Sequence, residues 1–271
     1  MNPCETLLEC AESAGRLLLR HFGKVRGIRV KESHGSIVTE ADLAADRHLR
    51  EMLERRHPGH NRLTEEHGFE NLGSPFTWVV DPLDGTSNFA AGIPWFGVML
   101  ALLDQGQPVA GVMHLPVENL TYLARRGQGA TRNGQPVRVS AERDLASVLC
   151  GYGMDPTPDF ASNRRQALAL AHLVRHARNV RATNSLVDFA FTIDGRLGAC
   201  VNFNTRIWDI AAPLVILEEA GGCLTDHTGA ALRLSLDSDA CQRSYAVAGG
   251  NPLLHARVVE LLAEAMGHEK G

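Results

Sequence analysis

The chain has 271 residues, of which 44% are hydrophobic and 21% charged, enough apolar material to bury a core and too much for an intrinsically disordered chain. Its 27 Lys and Arg against 31 Asp and Glu leave a formal net charge of −4, which gives no global attraction to nucleic acid or an anionic membrane. The longest apolar stretch, 93–103, is broken by Pro94 and Gly97 and falls short of the roughly 20 residues that cross a bilayer, so neither a nucleic-acid nor a membrane partner is expected.

At the start of the chain, Glu5, Glu9 and Glu12 stand where an export signal needs an unbroken apolar core. The cysteines at 4, 10, 150, 200, 223 and 241 form no C-x-x-C pair, so neither a zinc site nor a disulfide framework is suggested. A reduced, cytoplasmic chain is expected. Leu7, Ala11, Ala14, Leu18 and Phe22 recur at helical spacing and predict an amphipathic helix ending near Gly23. A short strand over 28–31 follows. Thr39 to Asp42 has the form of a capping box, and a second helix runs over 43–56 until Pro58 stops it.

The texture then changes to strands, at 78–80, 96–103, 109–115, 122–125 and 137–140, with Asn133-Gly134 as a hairpin signal. After about residue 145 strands and helices alternate: strands at 147–150, 179–182, 199–201, 223–225 and 245–248, and helices at 160–177, 185–193 and 209–220, with a last one after Asn251-Pro252. Such alternation predicts a largely parallel sheet. The expected organisation is a single domain over 1–271, with an antiparallel sheet and helices in 1–145 and alternating α/β structure in 146–271.

Four features carry candidate chemistry. The run Trp78-Val79-Val80-Asp81-Pro82-Leu83-Asp84-Gly85-Thr86-Ser87-Asn88-Phe89 is a strand ending in two carboxylates, a glycine and two hydroxyls. It could gather a cation and a phosphate at a strand end, or it could be a plain proline turn. An EF-hand loop is excluded by the spacing of the two aspartates. Asp209, in Trp208-Asp209 before an apolar helix, could be a ligand or a helix cap. Glu65-Glu66 could be a ligand pair or a solvated turn, and the capping box alone suffices to explain Asp42. Pro213 fits a helix only in its first turn. His172 and His176 lie one helical turn apart without an H-E-x-x-H motif, and are read as a surface or core-edge pair.

Taken together, the Asp81 run, Trp208-Asp209-Ile210-Ala211-Ala212-Pro213 with Glu219-Ala220-Gly221-Gly222, the upstream Thr39-Glu40-Ala41-Asp42, Glu65-Glu66 and the segment from Gly127 to Gly134 resemble the magnesium-dependent inositol monophosphatases and their sugar-phosphate and nucleotide phosphatase relatives. The resemblance covers the whole chain and implies their αβαβα sandwich. It implies that Glu65, Asp81 and the Leu83 carbonyl hold one Mg²⁺ and that Asp81, Asp84 and Asp209 hold a second, two or three ions in all, with Mn²⁺ as an alternative. Carboxylates about 4 Å apart repel by roughly 4 kcal/mol at an effective dielectric of 20, so only cations would stabilise such a cluster. The all-oxygen ligand set suits a hard ion.

The implied reaction is hydrolysis of a small phosphate monoester by a metal-activated water, without a phosphoenzyme. Thr86, polarised by Asp42, and Glu65 act on the water, while the N–H groups of Gly85 and Thr86 bind the phosphate. Ser185, Asn202 and Asp209 are the expected contacts to the substrate alcohol. Lys31 matches a basic residue of the family less clearly and is given no role, as are Leu186 and Asp188. Inositol-specific relatives carry a sugar-binding glutamate seven residues before the Asp209 position, where this chain has Asn202. The substrate is expected to be an inositol or similar polyol phosphate, with histidinol phosphate, a nucleotide 3′-phosphate and fructose 1,6-bisphosphate as alternatives. Lithium sensitivity and a homodimer follow from the resemblance only. A regulatory or scaffolding protein that kept the fold is the non-enzymatic alternative.

Overall fold

The computed structural model describes residues 2–24, 29–30 and 37–267. Helix α1 (Pro3–His21) opens on Asn2, whose side chain accepts from Cys4 N–H, with Pro3 at the first helical position and Arg20 and His21 in the last turn, where cations offset the helix dipole. Strands β1 (Arg29–Val30) and β2 (Ile37–Val38) pair antiparallel; residues 28 and 31 of the expected strand lie outside the described residues. Helix α2 (Glu40–Arg56) begins at the expected capping box, in which Asp42 Oδ2 accepts from Thr39 N–H at 2.8 Å.

The first sheet comprises β3 (Asn61–Thr64), β4 (Gly68–Glu70), β5 (Phe76–Asp84), β6 (Gly97–Asp104), β7 (Gln107–Leu115), β8 (Leu120–Arg125), β9 (Ala130–Arg132) and β10 (Gln135–Pro136). Their order is β10-β9-β8-β7-β6-β5-β3-β4. Every neighbouring pair is antiparallel except β3 with β5, which run parallel. The short helix α3 (Thr86–Ala90) follows β5 directly. Asn133-Gly134 is the two-residue turn between β9 and β10. Residues 137–140, expected as a strand, carry no regular structure. Gly127 and Gly129 donate their N–H groups to the two oxygens of Glu219, both at 2.7 Å, which fastens the β8–β9 loop to the helix that bears Asp209.

The second sheet comprises β11 (Leu149–Gly153), β12 (Asn179–Arg181), β13 (Ala199–Thr205), β14 (Cys223–Asp226) and β15 (Tyr245–Gly250), in the order β12-β11-β13-β15-β14. Strands β12, β11, β13 and β14 point one way and β15 is inserted in reverse. Helices α4 (Phe160–His176), α5 (Val187–Ile193), α6 (Ile207–Glu219) and α7 (Pro252–Gly267) complete the chain. Among the described residues no helix is long and apolar enough to cross a membrane.

Three apolar clusters order these elements into five layers. Leu7, Leu18, Leu49 and Leu53 of α1 and α2 pack on Trp78, Val80, Leu100 and Val112 of the first sheet. The other face of that sheet, with Val79, Met99, Met113 and Tyr122, packs on α5 and α6, which also meet Cys200, Leu224 and Val247 of the second sheet. Helices α4 and α7 cover the outer face of the second sheet through Ala169, Leu173, Leu254 and Leu261. The architecture is thus αβαβα, as expected. Helix α6 is buried all along Ile210–Leu217, the pattern of a helix with a sheet on either side. Pro213 lies inside it at the seventh position rather than in the first turn, so it supplies no N–H to the Asp209 carbonyl.

Candidate active site

The site begins with a register shift. Asp81 pairs with Met99 and Asp84 with Gly97, so three steps along β5 match two along β6. Residues three apart on a regular strand face opposite sides; one extra residue brings them to the same side. Leu83 N–H donates to Asp81 Oδ1 at 3.1 Å and fixes that carboxylate over the bulge. Parallel pairing of β3 with β5 places Glu65 beside Asp81, with Glu65 N–H donating to Val80 O at 3.2 Å.

Asp209 arrives from α6. It is not the helix cap, since Arg206 holds that position; Asp209 is the third helical residue and its Oδ2 accepts from Arg206 N–H at 2.6 Å. Oxygens of Asp81, Asp84 and Asp209 all lie within 4.8 Å of one another. Burial pushes the Asp84 carboxyl up to about 7, opposed by the Leu186 N–H it accepts and reinforced by Glu65, Asp155 and Asp188. Burial likewise holds Asp209 well above the usual carboxylate range, followed by the charge of Asp84, with Glu65 and Asp155 adding to it. Glu65 lies outside the group of three yet feels the same cluster. Three crowded carboxylates from two elements, with the Leu83 carbonyl between two of them in the chain, form an oxygen donor set that fits a hard divalent ion such as Mg²⁺.

Thr86 and Asp42 are in contact. Thr86 Oγ1 lies 2.9 Å from Asp42 Oδ1 and 3.0 Å from the Leu83 carbonyl, and its one proton can serve only one of these acceptors at a time. Gly85 has φ 81°, and a Cβ there would meet the Trp95 carbonyl at 2.5 Å. Ser185 is its neighbour across the site, 3.2 Å from that Cβ position, and its hydroxyl pairs with Thr183 Oγ1 at 3.1 Å. Asn202 sits on β13 opposite Gly153. Its Oδ1 accepts from Asn204 N–H at 2.9 Å and its side chain also bonds Asp155. Lys31 lies outside the described residues.

Two carboxylates of this neighbourhood escape the motif reading. Asp188 is buried against Gly151 and burial raises it to about 7, with hydrogen bonds from Thr183 and Asn184 opposing. Asp155 follows β11 and is raised by burial, against hydrogen bonds from Asn184 and Asn202. The available signal for Asp155 was its Asp155-Pro156 step just beyond a strand, the same punctuation as Asp81-Pro82.

A layered α/β fold thus brings a cluster of three carboxylates together where β5 meets α6. The family model described as the inositol monophosphatase family matches residues 4–266, and the chain belongs to that family. An inositol-1-monophosphatase of Mesorhizobium japonicum is 36% identical over 226 residues, 82% of this chain and 85% of that protein. A Nus factor SuhB of Xylella fastidiosa is 30% identical over 265 residues, 97% and 95% of the two chains. The solved structure of a Thermotoga maritima IMPase superposes with a TM-score of 0.86 at 30% identity, covering 99% of each chain.

Proposed function

We propose that the chain hydrolyses small phosphate monoesters with magnesium, and that its substrate is inositol monophosphate or a similar polyol phosphate. One observation carries this reading: oxygens of Asp81, Asp84 and Asp209, from two distant elements, share a space 4.8 Å across. Glu65, Asp81 and the Leu83 carbonyl would hold one ion and Asp81, Asp84 and Asp209 another, with Mn²⁺ as an alternative to Mg²⁺. The chemistry such an ion would supply is a lowered water pKa and an offset of charge on the leaving oxygen. Thr86 Oγ1, its proton directed to Asp42 Oδ1 at 2.9 Å, would offer a lone pair to an attacking water and orient it. Glu65 stands on the same side as a further acceptor. The N–H groups of Gly85 and Thr86 receive phosphoryl oxygens. Ser185, beside Gly85, lies where the alcohol would enter.

The test is phosphate release across a magnesium titration, from inositol 1-phosphate, histidinol phosphate, a nucleoside 3′-phosphate and fructose 1,6-bisphosphate. Inositol 1-phosphate is expected to turn over fastest, with lithium inhibiting. No release from any ester at any magnesium concentration would end the reading. The relative named Nus factor SuhB favours a second reading, a regulatory protein on the same fold, which predicts partner binding without turnover. The family resemblance also supports a homodimer, which sedimentation would test.

A further inference from the structure

Asn202 stands where the resemblance places a negative acceptor for the alcohol, but its amide is already engaged. Oδ1 takes Asn204 N–H at 2.9 Å, and Nδ2 lies against Gly153, so close that a Cβ there would be 2.4 Å away. The negative charge sits instead two residues beyond β11. Asp155 Oδ1 accepts from Asn184 Nδ2 at 3.0 Å, and Asn202 adds a second amide. Asn184 is itself locked to the same turn, accepting from Met154 N–H at 3.3 Å and donating to the Met154 carbonyl at 3.0 Å. Gln166 Nε2 secures the Asp155 carbonyl at 3.2 Å.

Both partners of the Asp155 carboxylate are neutral amides, so they fix it without cancelling its charge. A carboxylate offers about four lone-pair sites, and the two amides leave room for two more donors. The residue is only partly buried, and its partner Asn184 immediately precedes Ser185, whose Cβ lies 3.2 Å from a Cβ position at Gly85, so it lies on the Ser185 side of the proposed site, where its charge is felt by both Asp84 and Asp209.

We propose that Asp155 is the specificity-determining residue for the alcohol half of the substrate, its carboxylate accepting hydrogen bonds from two adjacent hydroxyls while Asn184 and Asn202 position it. This inference rests on the phosphatase reading above. It assigns to a loop carboxylate the charge that Asn202 lacks, and it selects polyol esters over esters of simple alcohols.

The test uses two esters that share a six-membered ring and a secondary phosphate and differ in hydroxyls: myo-inositol 1-phosphate and cyclohexyl phosphate. With the full chain at saturating magnesium, the wild type is expected to prefer the inositol ester. Asp155→Asn should cut that preference in kcat/KM about tenfold or more, through KM rather than kcat, and Asp155→Glu should restore part of it. If Asp155→Asn fails to melt cooperatively, Asp155→Ser gives the same readout. A preference unchanged in the variant, or an equal loss on both esters, overturns the inference. So does a wild type that hydrolyses both esters without preference; in that case the phosphatase reading stands. Hydrolysis of neither ester also overturns the inference, and the phosphatase reading falls with it only if the wider panel releases no phosphate either.

Discussion

Asp42 carries two loads on two oxygens. Oδ2 closes the capping box with Thr39, and Oδ1 lies 2.9 Å from the Thr86 hydroxyl. The helix-cap explanation available from sequence was therefore true and incomplete, because a cap occupies only half of a carboxylate. Thr86→Val should lower kcat about 100-fold with a melting temperature close to wild type, whereas Asp42→Ala should lose comparable activity and also about 1 kcal/mol of stability. Equal stability of the two variants in thermal melts would refute the division of labour. Asp84 supplies the pH prediction. Its carboxyl is raised to about 7, against roughly 3.9 in an unfolded chain. Between these values the native state keeps a proton that the unfolded state has released, so stability in chelator declines as pH rises from about 4 to about 7. Asp84→Asn should remove its share of that decline and, in chelator at pH 7.5, gain on the order of 2 kcal/mol, a few degrees in Tm. Its magnesium-dependent phosphate release should fall about 100-fold or more. A variant melting below wild type under those conditions would show that Asp84 serves the fold and not an ion.

At the scale of elements, β5 shows what periodicity conceals. Its apolar run was legible, but the bulge that turns Asp81 and Asp84 to one side depends on the partner strand. Strand β3 was not legible because Asn61, Arg62 and Thr64 are buried yet polar; Asn61 donates to the Ser74 carbonyl and Thr77, and Arg62 pairs with Glu70 through Nε and Nη2, its Nη1 remaining buried without a hydrogen bond among the described residues. Only its parallel pairing with β5 brings Glu65 to the site. The β5–α3 junction rests on Gly85. Any side chain there would combine a left-handed backbone with a collision against the Trp95 carbonyl at 2.5 Å. Gly85→Ala should cost roughly 2–3 kcal/mol and abolish turnover; a variant with wild-type melting and kcat would mean that the junction tolerates displacement. Helix α6 starts two residues before the expected position, which is why a cap remained one of the two readings of Asp209 and why Pro213 was expected in a first turn that it does not occupy. For Asp155 the only local mark is the Asp155-Pro156 step, and its partners, Asn184 and Asn202, come from a loop and a strand farther along the chain.

For the whole molecule, the decisive placement is α6 as the layer shared by both sheets. It brings Asp209 to β5, and its distance from the first sheet is set where Gly111 of β7 meets it: a Cβ there would lie 2.9 Å from Val215 and 3.0 Å from the Ala212 backbone. Gly111→Ala should therefore push the helix outward, costing about 1–3 kcal/mol and lowering magnesium affinity although residue 111 is no ligand. Unchanged magnesium dependence of phosphate release in a destabilised variant would separate packing from the site. The five-layer arrangement could be anticipated from the alternation of strands and helices together with the family resemblance, whereas the close approach of helix to sheet follows from which small residues face one another. The clasp of Glu219 on Gly127 and Gly129, at the far end of the same helix, extends this coupling beyond the ligands. Since one end of α6 carries a proposed ligand and the other holds a surface loop, occupancy by the ion should slow amide hydrogen exchange along the helix and in that loop together. Magnesium would then act as a rivet through the middle of the stack, and its release would be reported at Gly127 and Gly129 as early as at Asp209.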